Sequence, residues 1–349
     1  SSFPAPKKKE SASVTRRLFF YSPENCLRLR GNVSPPTRAP GAHRALGAPL
    51  DNRRETTHIL HMLKSFAKLM RPKHYVKNVL IFVPLVYSFN LTNADMLLHV
   101  FICFCAMCLG ASGVYAANDI ADCEKDKLHP KNKTRPVAAG AISKPVAAAF
   151  ALFLFLAGGA LMFLFGGTNA LFLTAAFVIL NLAYSFILKN IAVVDCFCVA
   201  ASFVLRVFVG GAVIGAGISE WLFLTVVATA LFLAFGKRRG ELLKLGIGGD
   251  GREVLRAYTP AFLSGIVFTC AGAGIVFYAL WAMESTAYVL YTVPLVIFII
   301  CKYLLSAESP ENSEKIMGDP VSIVFFDKIL LGAIIFFGVL SVFFLYVVE

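Results

Sequence analysis

Three aspartates in the stretch Asn118-Asp119-Ile120-Ala121-Asp122-Cys123-Glu124-Lys125-Asp126 stand at positions i, i+3 and i+7. That spacing stacks side chains on one face of a helix. Carboxylates so close repel one another unless a cation lies among them. A hard ion such as Mg²⁺, shared with the phosphates of a substrate, is the usual arrangement. Asp119, Asp122 and Asp126 are therefore candidate metal ligands. A solvated acidic helix end, neutralised by Lys125, Lys127, Lys131 and Lys133, accounts for the same residues without a metal.

The elements that must position these carboxylates are apolar. Hydrophobic residues make up 58% of the 349-residue chain, charged residues only 15%, and there are 32 Phe, a composition that excludes an ordinary soluble domain. A membrane-crossing helix needs roughly 20 mostly apolar residues. Nine such segments can be read, near 76–92, 96–117, 145–165, 168–188, 191–214, 219–236, 257–281, 286–305 and 323–347. They are apolar all round with no alternation of period two, so the expected class is an all-α membrane protein and not a β-barrel.

Lys and Arg set the expected orientation. The 118–144 connection carries Lys125, Lys127, Lys131, Lys133, Arg135 and Lys144, and the 237–256 connection carries Lys237, Arg238, Arg239, Lys244, Arg252 and Arg256. Lys189 lies in the next short link, and Lys302, Lys315 and Lys328 flank the last loop. The alternate connections near 90–95, 166–168, 215–219 and 282–286 have neither Lys nor Arg. The N-terminus and the acidic cluster are thus expected on the cytoplasmic side of a cell (inner) membrane, with Glu349 outside. The net charge of +12 follows from this bias and a basic tail, and it requires no nucleic-acid partner. Residues 1–57, rich in Pro, Arg and Ser, are expected to form a disordered extension. The cysteines grouped within the apolar spans, Cys103, Cys105 and Cys108 in one and Cys196 and Cys198 in another, fit packing better than metal binding or disulfides.

Further polar groups fall at the same expected boundary: Arg71-Pro-Lys73-His-Tyr75-Val-Lys77-Asn78, Tyr184-Ser185 with Lys189-Asn190, Asp195, and Gly236-Lys237-Arg238-Arg239-Gly240-Glu241. Asp195 and Arg206 lie three helical turns apart and about 20° apart around a helix. An arginine in mid-span usually lines a polar cavity, although one that fixes helix packing through carbonyls has the same sequence. Gly236 and Gly240 are expected to make a loop whose backbone can approach a ligand. His129 stands beside the acidic run as either a substrate contact or a loop cap. An acidic side suited to metal and a basic side suited to phosphate together point to a phosphate-bearing donor.

Asn118-Asp119-x-x-Asp122-x-x-x-Asp126 with Arg135-Pro136 downstream resembles the UbiA-type intramembrane prenyltransferase superfamily, over about residues 66–349. The resemblance implies about nine transmembrane helices around a central cavity open to the cytoplasmic side, in a catalytic domain covering 58–349. Family members carry a second aspartate-rich motif after the sixth helix, where this chain reads Gly236-Lys-Arg-Arg-Gly-Glu241. That departure, together with Arg71-Pro-x-x-Tyr75-x-Lys77-Asn78, His129-Pro-x-Asn-Lys-x-Arg135-Pro136, Tyr184-Ser-x-x-Leu-Lys189 and Arg206, resembles the decaprenyl-phosphate phosphoribosyltransferase branch.

The branch implies transfer of 5-phosphoribose from phosphoribosyl diphosphate to a polyprenyl phosphate, with pyrophosphate released, at the start of arabinose-donor synthesis for the cell envelope. By resemblance Asp119, Asp122 and Asp126 are catalytic and, with Asn118, hold Mg²⁺ and the donor diphosphate. Lys189, Arg206, Lys237 and Arg238, with Tyr184 beside them, are expected on phosphates and Arg135 near the donor. Arg71, Lys73 and Lys77 are placed to meet the lipid phosphate. Expected partners are those two substrates and the membrane, with self-association allowed. The rival activities are prenyl transfer to an aromatic or glycerol acceptor, whose acidic mark at 236–245 is reduced to Glu241, and transport. A transporter would spread its ionisable groups through the bilayer depth.

Overall fold

The computed structural model describes residues 50–128, 132–245, 253–285, 288–309 and 320–347. Every regular element among them is helical: α1 (Leu50–Met70), a 3-10 helix (Pro72–Phe82), α2 (Val83–Tyr87), α3 (Ala94–Ala121), α4 (Cys123–Leu128), α5 (Lys144–Phe186), α6 (Val194–Ile214), α7 (Glu220–Leu245), α8 (Pro260–Ser285), α9 (Val293–Glu308), α10 (Pro320–Phe326) and α11 (Lys328–Tyr346). Short 3-10 turns at Leu188–Asn190, Glu253–Ala257 and Val289–Thr292 precede α6, α8 and α9. Seven helices among the described residues are long and apolar enough to cross a membrane, and the protein is a multi-pass membrane protein. α1 begins at Leu50, inside the segment expected as an extension. Residues 1–49, His129 and Lys131 lie outside the described residues.

The longest helix is two helices. At 43 residues α5 would run about 65 Å if straight, twice the ~30 Å of a hydrocarbon core. It breaks at Gly167, whose φ of 79° and ψ of −178° only glycine adopts readily. The chain then doubles back, since a Cβ at Gly159 would lie 3.9 Å from Leu171 Cδ1. Both arms pack on α3, Phe155 against Gly113 and Val178 against Gly110. The expected spans 145–165 and 168–188 are these two arms.

The first expected span, 76–92, takes a different form. Its main part is an 11-residue 3-10 helix, longer than such helices usually run. Tyr75 hydrogen-bonds Ser112 at 2.8 Å, and Asn78 Nδ2 donates to Cys108 Sγ at 3.2 Å, so α3 holds the segment from one side. α6 holds it from the other: a Cβ on Gly210 would sit 2.1 Å from the Ile81 carbonyl oxygen. The last expected span, 323–347, is likewise divided. Asp327 separates α10 from α11 and caps the latter, accepting from Ile329 and Leu330 N–H at 3.0 Å each.

The two ends of the bundle differ in chemistry. At one, the Tyr346 hydroxyl donates to the Val86 carbonyl at 2.8 Å and accepts from Leu91 N–H at 3.1 Å. Tyr87 packs edge-on to Trp281 at 4.4 Å, and Ser219 donates to Glu284 at 3.0 Å. This joins the connections that lack Lys and Arg and rims them with aromatic rings, as at a membrane–water interface. At the opposite end lie the ion pairs Arg71–Asp119, Lys189–Asp122, Arg238–Asp195, Arg239–Glu308 and Lys302–Asp327.

Candidate active site

Asp119 lies in the last turn of α3 and Asp126 in α4, and the break between the helices falls at Asp122, with φ −91° and ψ 3°. Asp122 N–H donates to Asn118 O at 2.9 Å and Asp126 N–H to Asp122 O at 2.8 Å, so the helical path continues across the break. Asp119 and Asp126 meet at one guanidinium. Arg135 Nη1 lies 2.6 Å from Asp126 Oδ2 and 3.6 Å from Asp119 Oδ1. Asp119 is also paired with Arg71, and Asp126 accepts from Asn132 Nδ2 at 2.9 Å. Both carboxylates are buried, whereas Asp122 is more open at 21% and takes Lys189 Nζ at 2.7 Å. Each of the three predicted carboxylates thus faces a cation; Arg135 comes from the loop just after α4, while Arg71 and Lys189 come from segments distant in sequence.

Local structure aims these cations. Arg71 ends α1 in the left-handed region, φ 53° and ψ 58°, just before Pro72, and its guanidinium lies 5.3 Å from the Tyr115 ring centroid. Lys68 Nζ donates to Thr134 O at 2.5 Å, tying α1 to the loop that carries Arg135. Glu124, on the outer side of α4, binds Lys127 and Lys144 at 2.9 Å each. Lys127 and then Lys144 hold its carboxyl at about 2, well below the usual carboxylate range.

The basic stretch at the end of α7 differs from expectation. Residues 236–241 are helical, because α7 continues to Leu245 where a loop was expected. Arg238 is buried, and each of its three guanidinium nitrogens donates a hydrogen bond. Nε donates to Asp195 at 2.5 Å, Nη1 to Glu241 at 2.7 Å and Nη2 to the Tyr184 hydroxyl at 3.2 Å. Asp195 also accepts from the Tyr258 hydroxyl at 2.9 Å. A guanidinium shared by Asp195, Glu241 and Tyr184 ties α5, α6 and α7 together at this end of the bundle. Arg239 is likewise turned away, to Ser264 at 2.8 Å and Glu308 at 3.0 Å.

Arg206 occupies a deeper layer. It lies eleven residues beyond Asp195 on α6, about 16 Å along the axis. It donates to Asn78 Oδ1 at 2.8 Å and to Ser202 O at 2.5 Å, between the rings of Phe177 at 4.5 Å and Phe203 at 5.4 Å. These contacts brace the 3-10 helix against α5 and α6 and do not bring Arg206 to the carboxylates. Asp195 and Arg206 share α6 but have separate partners. Among the remaining expected residues, Lys73 is exposed, while Lys77, Asn118 and Lys237 are half-buried. Asn132 stood in the quoted motif His129-Pro-x-Asn-Lys-x-Arg135-Pro136 without a role of its own, and Tyr258 was missed, since the sequence carries no signal for it.

The donor set suits a hard dication, since Asp119, Asp122 and Asp126 offer carboxylate oxygen alone. No three Asp, Glu, His or Cys side chains form a closed cage among the described residues.

Relatives agree with this architecture. The UbiA prenyltransferase family matches residues 79–327. A decaprenyl-phosphate phosphoribosyltransferase of Corynebacterium glutamicum is 31% identical over 275 residues, covering 75% of this chain and 81% of that protein. One of Mycolicibacterium smegmatis is 30% identical over 289 residues, covering 77% and 89%. A solved UbiA homolog from Archaeoglobus fulgidus bound to GPP and Mg²⁺ superposes with a TM-score of 0.59 at 16% identity, over 79% of this chain and 99% of that one. Identity that low carries the fold alone. The family match runs over most of the membrane part and includes α3, α6 and α7, so the chain belongs to the UbiA prenyltransferase family.

Proposed function

We propose that this chain transfers the 5-phosphoribosyl group of phosphoribosyl diphosphate to the phosphate of a polyprenyl lipid, releasing pyrophosphate. The observation that carries the reading is the matched set of charges at one end of the bundle. Asp119, Asp122 and Asp126 face Arg71, Arg135 and Lys189. Such a set accepts a metal and a phosphate-rich donor together. Two relatives that carry the name decaprenyl-phosphate phosphoribosyltransferase support the choice of donor and acceptor. Prenyl transfer is the alternative, and Glu241, the one carboxylate left at the end of α7, is engaged by Arg238.

In this reading Asp119, Asp122 and Asp126, with Asn118, hold Mg²⁺ and the donor diphosphate. A metal held there would supply charge neutralisation for the leaving pyrophosphate. Arg71, Arg135 and Lys189 exchange their carboxylates for phosphate oxygens and spread the charge that develops as the C1–O bond breaks. C1 passes through an oxocarbenium-like state and bonds to a lipid phosphate oxygen. That oxygen is already anionic, so no side chain need remove a proton, and direct displacement inverts C1. Exposed Lys73 and half-buried Lys77, on the 3-10 helix that follows Arg71, are the residues assigned to the incoming lipid phosphate.

The proposed topology has nine crossings around a cavity open to the cytoplasm, in a cell (inner) membrane. The two arms of α5 count separately, and Pro72–Tyr87 supplies the first crossing. Eleven 3-10 residues at ~2.0 Å and five α residues at ~1.5 Å come to about 30 Å, enough to cross. The Lys/Arg-bearing end is then cytoplasmic and the end of α11 external.

The test is transfer of radiolabel from ribose-labelled phosphoribosyl diphosphate into the organic phase, using protein reconstituted with polyprenyl phosphate. Label should enter the lipid with Mg²⁺ and stay in water when the metal is chelated. Labelled lipid absent under all metal conditions would overturn the reading.

A further inference from the structure

The link between α5 and α6 carries Lys189 and then passes through a conformation that valine rarely adopts. Val193 has φ 69° and ψ −50°, and Val194 N–H donates to Ala192 O at 2.8 Å. An i→i+2 bond around a positive φ is the strained form of γ-turn, rare for any side chain and more so for a β-branched one. Such strain persists only where the surroundings over-determine it.

Tyr258 supplies that constraint. Val193 N–H donates to its hydroxyl at 2.6 Å, and the hydroxyl donates to Asp195 Oδ1 at 2.9 Å. Asp195 is fully buried and fixed by Arg238 through its other oxygen. Tyr258 is itself buried, in the link before α8, and its ring stacks on Phe262 at 6.0 Å. A segment distant in sequence therefore pins both the turn and the start of α6.

The turn governs a short strap. Four residues earlier, Lys189 Nζ reaches Asp122 at 2.7 Å. Between them Ile191 N–H closes on Leu188 O at 3.2 Å, and Asp195 N–H closes on Ile191 O at 3.0 Å, leaving little slack. Relaxation of Val193 to an extended conformation would redirect the strap and the lysine on it.

We propose that Tyr258 is a positioning residue of the phosphate site: its hydroxyl clamps the γ-turn at Val193 and so keeps the Lys189 ammonium on the acidic cluster. The inference rests on the reading of Lys189 as a phosphate contact and adds what holds it in place. Glycine takes a positive φ without penalty, so Gly at 193 makes the clamp dispensable.

The experiment uses the full-length protein in micelles and compares wild type, Tyr258→Phe and Tyr258→Phe/Val193→Gly. The first readout is the acetylation rate of Lys189, mapped by mass spectrometry with exposed Lys64 as reference, and it needs no substrate. Tyr258→Phe should raise that rate about fivefold or more, and the double variant should return to within about twofold of wild type. The second readout is kinetic. KM for phosphoribosyl diphosphate should rise about tenfold in Tyr258→Phe, with KM for the lipid phosphate within about twofold.

Unchanged labelling in Tyr258→Phe overturns the proposal. So does a rise that Gly at 193 does not reverse, or an equal rise in both KM values. A wild type with no phosphoribosyl transfer overturns the functional reading alone, because labelling still decides the clamp.

Discussion

Arg238→Met separates two roles for a residue that the sequence placed on phosphate. In the structure its side chain is 4% exposed and holds Asp195, 0% exposed, at 2.5 Å and Glu241 at 2.7 Å. Methionine fills much of the volume but leaves the Asp195 carboxylate with no cation, only the Tyr258 hydroxyl and the weak Cys196 thiol beside it. Breaking a buried pair by removing one partner costs about 3–5 kcal/mol. At about 2–4 °C per kcal/mol for a chain of this size, the apparent Tm should fall by roughly 6–20 °C. Asp195→Asn/Arg238→Met removes the more deeply buried of the two stranded charges, leaving Glu241, and should recover at least ~2 kcal/mol relative to the sum of the single changes. The assay is thermal unfolding of the four proteins in one detergent at one heating rate, since unfolding of membrane proteins is often irreversible. An Arg238→Met protein with wild-type Tm but no donor binding would refute the structural role and restore Arg238 to the phosphate site.

Three other outcomes follow from single contacts. Asp122→Asn should lower Mg²⁺-dependent turnover about a hundredfold or more while changing stability by only ~1 kcal/mol, because its partly exposed pair with Lys189 contributes little to folding. Near-normal turnover would remove Asp122 from the metal site. Gly210→Ala should lower the apparent Tm by the equivalent of ~1–3 kcal/mol or more, since its Cβ would meet the Ile81 backbone, which cannot swing aside. A wild-type Tm would show the 3-10 helix to be looser than described. Glu124 titrates in the fold at about 2, below its unbound value of 4.5, so its pairs with Lys127 and Lys144 are complete above about pH 4.5 and are lost as pH falls through about 2. Stability curves of wild type and Glu124→Gln should run parallel above pH 4.5 and converge towards pH 2; convergence already at pH 4 would contradict the pairing.

Much of the fold was legible because lipid imposes simple rules. Long apolar runs and the Lys/Arg bias mark the helices and their ends. The Gly166-Gly167-Thr168-Asn169 break of α5 falls where the expected spans 145–165 and 168–188 meet. Elements held by distant partners were not legible. Glycines at 236 and 240 pointed to a loop, yet α7 runs through them, and Asp195, from a helix 43 residues earlier, pairs with Arg238 between them. The 3-10 form of Pro72–Phe82 likewise depends on Gly210 and Arg206, far away in sequence.

The candidate site follows the same division. The i, i+3, i+7 aspartates announced themselves, because spacing along one helix is local information. Their counter-ions did not. Lys189 reaches Asp122 across 67 residues and Arg71 reaches Asp119 across 48. Arg206 was read as facing a cavity, and its partners are Asn78, Ser202 and two phenylalanine rings. A mid-span arginine that braces packing and one that binds a ligand have the same sequence, and only its neighbours tell them apart.

The most direct test of the central claim offers the purified protein both donors at once, with Mg²⁺, polyprenyl phosphate and an aromatic acceptor. Products are then identified by mass and pyrophosphate is counted. The account predicts polyprenyl phosphate heavier by one phosphoribosyl group, one pyrophosphate released per lipid, and the prenyl diphosphate untouched. A prenylated acceptor, with phosphoribosyl diphosphate left intact, would contradict it.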